Sequence, residues 1–242
     1  MVISSYKFNI VFIWFFWASV VEGMSHKIDQ SFKLIFWGAE LGEFQVKVKA
    51  DAKKYSVSTN ASGKSLIRLL SSFEVSSGAV GNFKDNGDLM PRQSISRWTI
   101  RGKFRQTQLN YQDGTLTAFE ASPELTKKYH INNPIGLKNT IDPVSLVLWL
   151  LINRGENQIC KGKVKILDGF RMSELSFEKI DTSQDLIVCS GKIERIQGFK
   201  NLDLKRKPLE FKITYSVKNT NFLDIPKFEI QTIFGKMILE KF

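Results

Sequence analysis

Period-two alternation constrains this chain more than any other feature, because it recurs along most of its length. In FQVKVKA (44–50), Phe44, Val46 and Val48 alternate with polar neighbours; in LEFKITYSV (209–217), Leu209, Phe211, Ile213, Tyr215 and Val217 do the same. Successive side chains of a strand point to opposite faces, so this pattern builds sheets with one dry and one wet face. Phe32, Leu34 and Phe36 open the series, and KFEIQTIFGKMILE (227–240) closes it as a strand pair or a bent strand. Turn signals punctuate it at Gly38 and Gly42, at 50–54, at DNGD (85–88) and at Gln112-Asp113-Gly114. Residues 121–140 read as a long loop. Leu66, Leu69, Leu70 and Phe73 have helical spacing and predict a short helix over 64–73. No repeat of roughly 20–50 residues is present. No polar linker divides the chain, so residues 24–242 read as a single β-rich domain.

One stretch breaks the alternation. In DPVSLVLWLLINRG (142–155), Asp142 suits an N-cap, Pro143 the first helical position and Gly155 the C-terminal cap. Nearly every residue from Val144 to Ile152 is apolar, and a helix that is apolar all round is buried on most sides. About 11 residues span about 16 Å, too short to cross a bilayer. The expected fold is therefore mainly β: a single antiparallel curved sheet or half-barrel, its dry face covered by one buried apolar helix at about 143–153.

The N-terminus indicates a compartment. Lys7 precedes FNIVFIWFFWASVV (8–21), and Val21-Glu22-Gly23 supplies acceptable residues for cleavage after Gly23. That arrangement reads as a signal peptide over 1–23, with an uncleaved, tethering signal anchor as the alternative. Export to the periplasm is the expectation. Two cysteines in an exported chain read as one disulfide, Cys160–Cys189, closing a loop of about 30 residues and contributing roughly 3–4 kcal/mol; free thiols in a cytosolic protein are the alternative. Neither cysteine has a partner at zinc spacing. The net charge of +11 favours anionic partners, and removing residues 1–23 takes away one Lys and one Glu without changing it.

Candidate chemistry is sparse. Asp168-Gly169 between alternating runs is a strong hairpin signal, expected as a type I′ turn, and Asp168 has no neighbouring base that would make it catalytic. The only histidines are His26 and His130, and no G-x-S-x-G elbow exists. ASGKS (61–65) resembles the tail of a phosphate loop but has Ser58 where the pattern needs Gly. Asn60-Ala61-Ser62 is a glycosylation sequon by pattern alone. Read as one strand, RWTIRGKFR places Trp98, Ile100 and Phe104 on one face and Arg97, Arg101, Lys103 and Arg105 on the other. Those four cations form either a solvated face or a contact for lipid head groups and other envelope anions. Nucleic acid is not expected of an exported chain. Counting back by twos from Phe242 meets Glu240 and Lys236, which argues against a lipid-facing barrel strand.

These residues resemble a known family. Gly38 with Gly42, IDPVSLVL (141–148), ILDGFR (166–171), CSGKIERIQGF (189–199) and IPKFEIQTIFGKMILE (225–240), in that order, are similar to the uncharacterised exported bacterial family called domain of unknown function 3108. A cysteine on each side of the Asp-Gly hairpin also fits, and the resemblance covers roughly 32–240. It implies export and one antiparallel β domain, and by fold analogy the half-barrels that carry acyl chains under a helix. It carries over no catalytic residue, and this chain has Ile213-Thr214-Tyr215 where the family pattern has a Trp. Two functions follow as expectations. One is a carrier of an apolar or acylated ligand, lined by Leu146, Trp149 and Leu150. The other is an envelope structural or adaptor protein with a filled core. Neither needs a cofactor, a metal or catalysis.

Overall fold

A computed structural model of the chain describes residues 26–63, 73–124, 131–152, 158–183, 185–216 and 222–242. The expected signal segment, most of the short helix expected at 64–73, His130 and Gly155 lie outside those residues. Phe73 alone of that helix is described, and it begins a strand.

The strands are β1 (His26–Phe36), β2 (Ala39–Ala50), β3 (Lys54–Gly63), β4 (Phe73–Phe83), β5 (Leu89–Ile100), β6 (Lys103–Gln112), β7 (Thr115–Ser122), β8 (Thr140–Ile141), β9 (Lys163–Leu167), β10 (Met172–Thr182), β11 (Leu186–Gln197), β12 (Leu209–Ser216), β13 (Asp224–Thr232) and β14 (Gly235–Lys241). They form one 14-stranded sheet in the order β7-β6-β5-β4-β3-β2-β1-β14-β13-β12-β11-β10-β9-β8. Every pairing is antiparallel except β8 with β9, which is parallel. The mainly β expectation is met, and the curvature goes beyond a half-barrel: the sheet curls until its edges almost meet.

Backbone bonds bridge the edges at one end, where Leu116 N–H donates to Leu137 O at 2.9 Å and Gly136 N–H to Leu116 O at 2.8 Å. Along the rest of the seam, side chains make the closure. Leu109, Tyr111 and Leu116 from one edge pack with Leu167, Met172 and Ile131 from the other.

Helix α1 (Pro143–Leu151) runs inside this barrel. Asp142 caps it as the sequence predicts, its carboxylate accepting from the N–H groups of Val144 and Ser145, both at 2.9 Å. The helix ends sooner than expected, because Ile152 turns extended and bridges Phe222 while Leu223 N–H donates to Leu151 O. Leu148 and Leu151 are fully enclosed by the main core, which joins Val46, Val48 and Val57 on one side to Phe211, Ile213 and Tyr215 on the other.

Cys160 and Cys189 are disulfide-bonded, with Cα atoms 5.2 Å apart. The bridge ties the lead-in of β9 to β11, spanning β10. The Asp168 hairpin differs in type from the expectation. Asp168 N–H donates to Arg171 O, so Gly169 and Phe170 are the central residues. Only Gly169 has positive φ, at 93°, so the loop is not a type I′ turn, which needs positive φ at both central residues.

Candidate functional site

The inner face of the β2–β6 wing is built from small side chains. Thr59, Ser77, Ser94, Ser96 and Thr107 stand where a filled core would place Leu, Ile or Phe. Opposite them lies the first half of α1. The space left between is a cavity of about 630 Å³, open to solvent at one end of the barrel. Pro143, Val144 and Val147 form its helix wall, Leu109 and Val75 part of its sheet wall, and Trp98, Ile100, Arg105, Phe170 and Arg171 stand toward its mouth.

Its floor is held by a buried polar chain. Asp142 is fully buried, and Ser145 Oγ donates to its second carboxylate oxygen at 2.6 Å. Ser145 Oγ also lies 3.0 Å from the Tyr55 hydroxyl on β3. Tyr55 reaches it by lying flat across its cross-strand partner Gly81, where a Cβ would strike the ring. Burial pushes the Asp142 carboxyl above the usual range, with the bonds from Ser145 and the backbone opposing that shift. Burial likewise pushes the Tyr55 phenol up. Deeper in the seam, the Tyr111 hydroxyl and Thr140 Oγ1 are buried near each other.

The lining expected from the sequence was Leu146, Trp149 and Leu150, and the structure shifts it to another face of the same helix. Trp149 turns away, stacking on Phe177 with ring centroids 5.8 Å apart, and faces a separate cleft. Leu146 and Leu150 pack against the core, and the Leu150 carbonyl accepts from the Tyr215 hydroxyl at 3.1 Å. An all-apolar helix has no polar face to mark its outside, so its sequence does not say which side meets a cavity.

The four-cation face is also corrected. RWTIRGKFR is a hairpin, and Arg101-Gly102 is its turn, with φ of 51° and 72°. Trp98 pairs with Arg105 and Ile100 with Lys103, so these four share one face, while Arg97 pairs with Gln106 on the other. Arg97 donates from Nε to Gln106 Oε1 at 2.8 Å on the exposed side. Arg105 alone of the four lines the cavity. It is half-buried, and among the described residues its guanidinium has no hydrogen bond or ion pair.

Asp168 and Gly169 close the seam. The Asp168 carboxylate accepts from Phe170 N–H at 2.8 Å and Arg171 N–H at 2.7 Å, which occupies it as a turn cap. Phe170 packs edge-on against Phe119 of β7, and its carbonyl accepts from Ile131 N–H. Arg171, which the sequence did not assign to a site, lies over the Phe199 ring at the cavity mouth. The sequence signal for the cavity itself was the run of Ser and Thr at inner positions of otherwise well-formed strands.

No protein-family model matches the chain, and no curated protein matches it. Its structure is similar to the crystal structure of a β-barrel-like protein of domain of unknown function DUF1849 from Brucella abortus. The two are 10% identical over 88% of this chain and 94% of that one, with a TM-score of 0.49. The chain's own strand order and seam contacts define a nearly closed, barrel-shaped sheet with one internal helix and a cavity beside it. No helix among the described residues is long and apolar enough to cross a membrane.

Proposed function

We propose that this chain is an exported, periplasmic protein whose barrel binds an apolar or acylated ligand with an anionic group at its head. The cavity carries this reading. Its volume of about 630 Å³ lies within the roughly 300–1,000 Å³ typical of small-molecule sites. Val144, Val147 and Leu109 suit an acyl chain, and each methylene taken from water contributes about 0.8 kcal/mol. Arg105 supplies the second half of the argument. It is half-buried and its guanidinium has no partner among the described residues, so a ligand carboxylate or phosphate could satisfy it with charge-assisted hydrogen bonds. Export is supported by the signal-like segment at 1–23 and by the disulfide, which persists in oxidising compartments.

Native mass spectrometry of the protein purified gently from cells expressing the full chain tests this. A reproducible adduct of lipid size is expected. It should disappear in Ser96→Phe/Val147→Phe, which fills the cavity, and weaken about 10–100-fold in Arg105→Leu, the effect of losing one charged hydrogen-bonding group. An adduct that survives in the filled variant would refute the cavity as its site. The second reading is a structural or adaptor protein, and one observation favours it: the opposite wing is solid, with Trp149, Phe177, Phe211 and Phe228 in successive ring contact. A clean mass without adduct would favour that reading.

A further inference from the structure

The antiparallel order sorts the hairpin tips into two sets, one at each end of the barrel. The tips at 51–53, 84–88, 113–114 and 183–185 share one end. Their described residues are Asp, Asn, Gly, Lys, Ser and Ala, the ordinary chemistry of exposed turns. The tips at 37–38, 101–102, 168–171 and 233–234 share the other end, as the pairings of Phe36 with Met237, Phe73 with Ile100 and Met172 with both Leu167 and Gln197 require. The cavity opens there.

This second end exposes large apolar groups. Trp37 is 78% exposed, Phe234 is 70% and Ile233 is 57%; Ile100, Phe104 and Leu202 are exposed at the same end. Turn geometry does not ask for them. Asp113-Gly114 at the far end has φ of 48° and 73°, and Trp37-Gly38 makes the same turn with φ of 51° and 78°. Asp tolerates positive φ, whereas for a bulky residue it is an outlier. Trp37 is therefore unfavourable twice, in its backbone and in its exposure. Its indole lies against Gly235, so Trp37, Ile233 and Phe234 make one patch across two adjacent tips. Cations lie at the same end. Lys205 and Lys207 on the β11–β12 connection, adjacent to the β13–β14 tip, and Arg101 and Lys103 on the more distant β5–β6 tip are exposed, with side chains that form no ion pair among the described residues.

Apolar tips that share one end of the barrel with unpaired cations match a surface that is anionic outside and apolar a few ångströms in. We infer that this end docks on an anionic membrane surface, with Trp37, Ile233 and Phe234 entering the headgroup region and the four cations meeting lipid phosphates. Docking this way stands without any ligand in the cavity. If the proposed function holds, it also places the cavity mouth against lipid.

The test is co-sedimentation of the protein, recovered from cells expressing the full chain, with vesicles of phosphatidylcholine alone or mixed with phosphatidylglycerol. Binding is expected only to the anionic vesicles and should weaken with salt. Trp37→Asn/Phe234→Ser should lower it about tenfold or more, equivalent to about 1.4 kcal/mol, with Asn chosen because it tolerates the turn. Arg101→Glu/Lys103→Glu should lower it and flatten the salt dependence. Lipids brominated in the acyl chain should quench wild-type emission, and Trp37→Phe should bind yet lose that quenching. The filled-cavity variant Ser96→Phe/Val147→Phe should dock normally, which separates failure of docking from failure of ligand binding. Equal binding to neutral vesicles, or binding unchanged in both double variants, would overturn the inference. So would self-association lost in Trp37→Asn/Phe234→Ser without any vesicle binding, which would assign the patch to a protein interface.

Discussion

Replacing Asp142 isolates what holds the helix inside the barrel. In Asp142→Ala the N–H groups of Val144 and Ser145 lose their acceptor, which for an N-cap costs about 0.5–2 kcal/mol. Ser145 Oγ also loses its 2.6 Å bond and keeps only Tyr55, adding about 1 kcal/mol. The total is about 1.5–3 kcal/mol of lost stability. Asp142→Asn keeps an oxygen for both amides, and its Nδ2 can donate to Ser145 Oγ while that hydroxyl donates to Tyr55. It should therefore cost about 1 kcal/mol or less at acid pH.

The pH dependence separates the two effects. Burial raises the folded-state pKa of Asp142 above its unfolded value. The folded state then holds the proton more tightly, so this contribution to stability is complete below the unfolded pKa, near 4, and declines as pH rises through the folded pKa. Wild type should lose stability along that slope, and Asp142→Asn should lack it. Urea unfolding at several pH values, followed by near-ultraviolet circular dichroism with the disulfide intact, measures both quantities. Asp142→Ala within 0.5 kcal/mol of wild type, on the order of surface substitutions, would refute the capping argument. A wild-type slope preserved in Asp142→Asn would refute the titration argument.

Two further outcomes follow from the seam and its staple. Gly169→Ala meets both a φ of 93° and the Phe119 ring, so it should cost about 1–3 kcal/mol or more and increase amide exchange at Leu109, Leu116 and Met172 first; unchanged exchange there would show that the hairpin does not close the barrel. Cys160→Ser/Cys189→Ser should lower stability by roughly 3–4 kcal/mol, the loop-entropy value for a separation of 29 residues, and denaturant titration of reduced against oxidised protein checks it independently.

Much of the fold was legible because strand alternation and turn residues agree locally. Phe44, Val46 and Val48 lie on the inner face as their spacing predicts, and Asp51 caps its own turn by accepting from Lys53 and Lys54 N–H. Misreadings occurred where one signal imitated another. RWTIRGKFR keeps an apolar rhythm through its turn because Arg101 takes a left-handed conformation that Arg seldom adopts, which leaves Gly102 as the only local sign of a break. Closure of the seam was not legible at all. It depends on Leu109, Leu116, Leu167 and Met172 meeting across the two ends of the sheet order, and no local pattern encodes such a long-range contact. The cavity sat between these cases. Its Ser and Thr positions were visible, yet inner and outer faces cannot be told apart when polar residues occupy both.

That ambiguity bears on why the cavity exists. α1 faces two wings of one barrel and meets them differently. Trp149 and Leu148 enter a wing filled by Phe177, Phe211 and Ile213; Val144 and Val147 face Thr59, Ser77, Ser94 and Ser96 across open space. A core optimised for stability would not leave that space, since lost packing around a void weakens a fold in proportion to its volume. Larger apolar side chains at Ser94 or Ser96 would fit the same strands and fill it. The chain thus forgoes stability at four or more adjacent inner positions while packing the other wing densely. Exposed Trp37 and Phe234 repeat the pattern at the surface, at the end of the barrel where the cavity opens. Both departures from local stability occur toward one end of the barrel, and both favour an amphiphile: the small inner side chains leave room for an apolar chain, Arg105 meets an anion, and the tips reach the phase from which such a molecule comes. A stabilising substitution such as Ser96→Val should therefore raise the melting temperature and reduce ligand retention together, which is the relation expected where stability and function compete for the same positions.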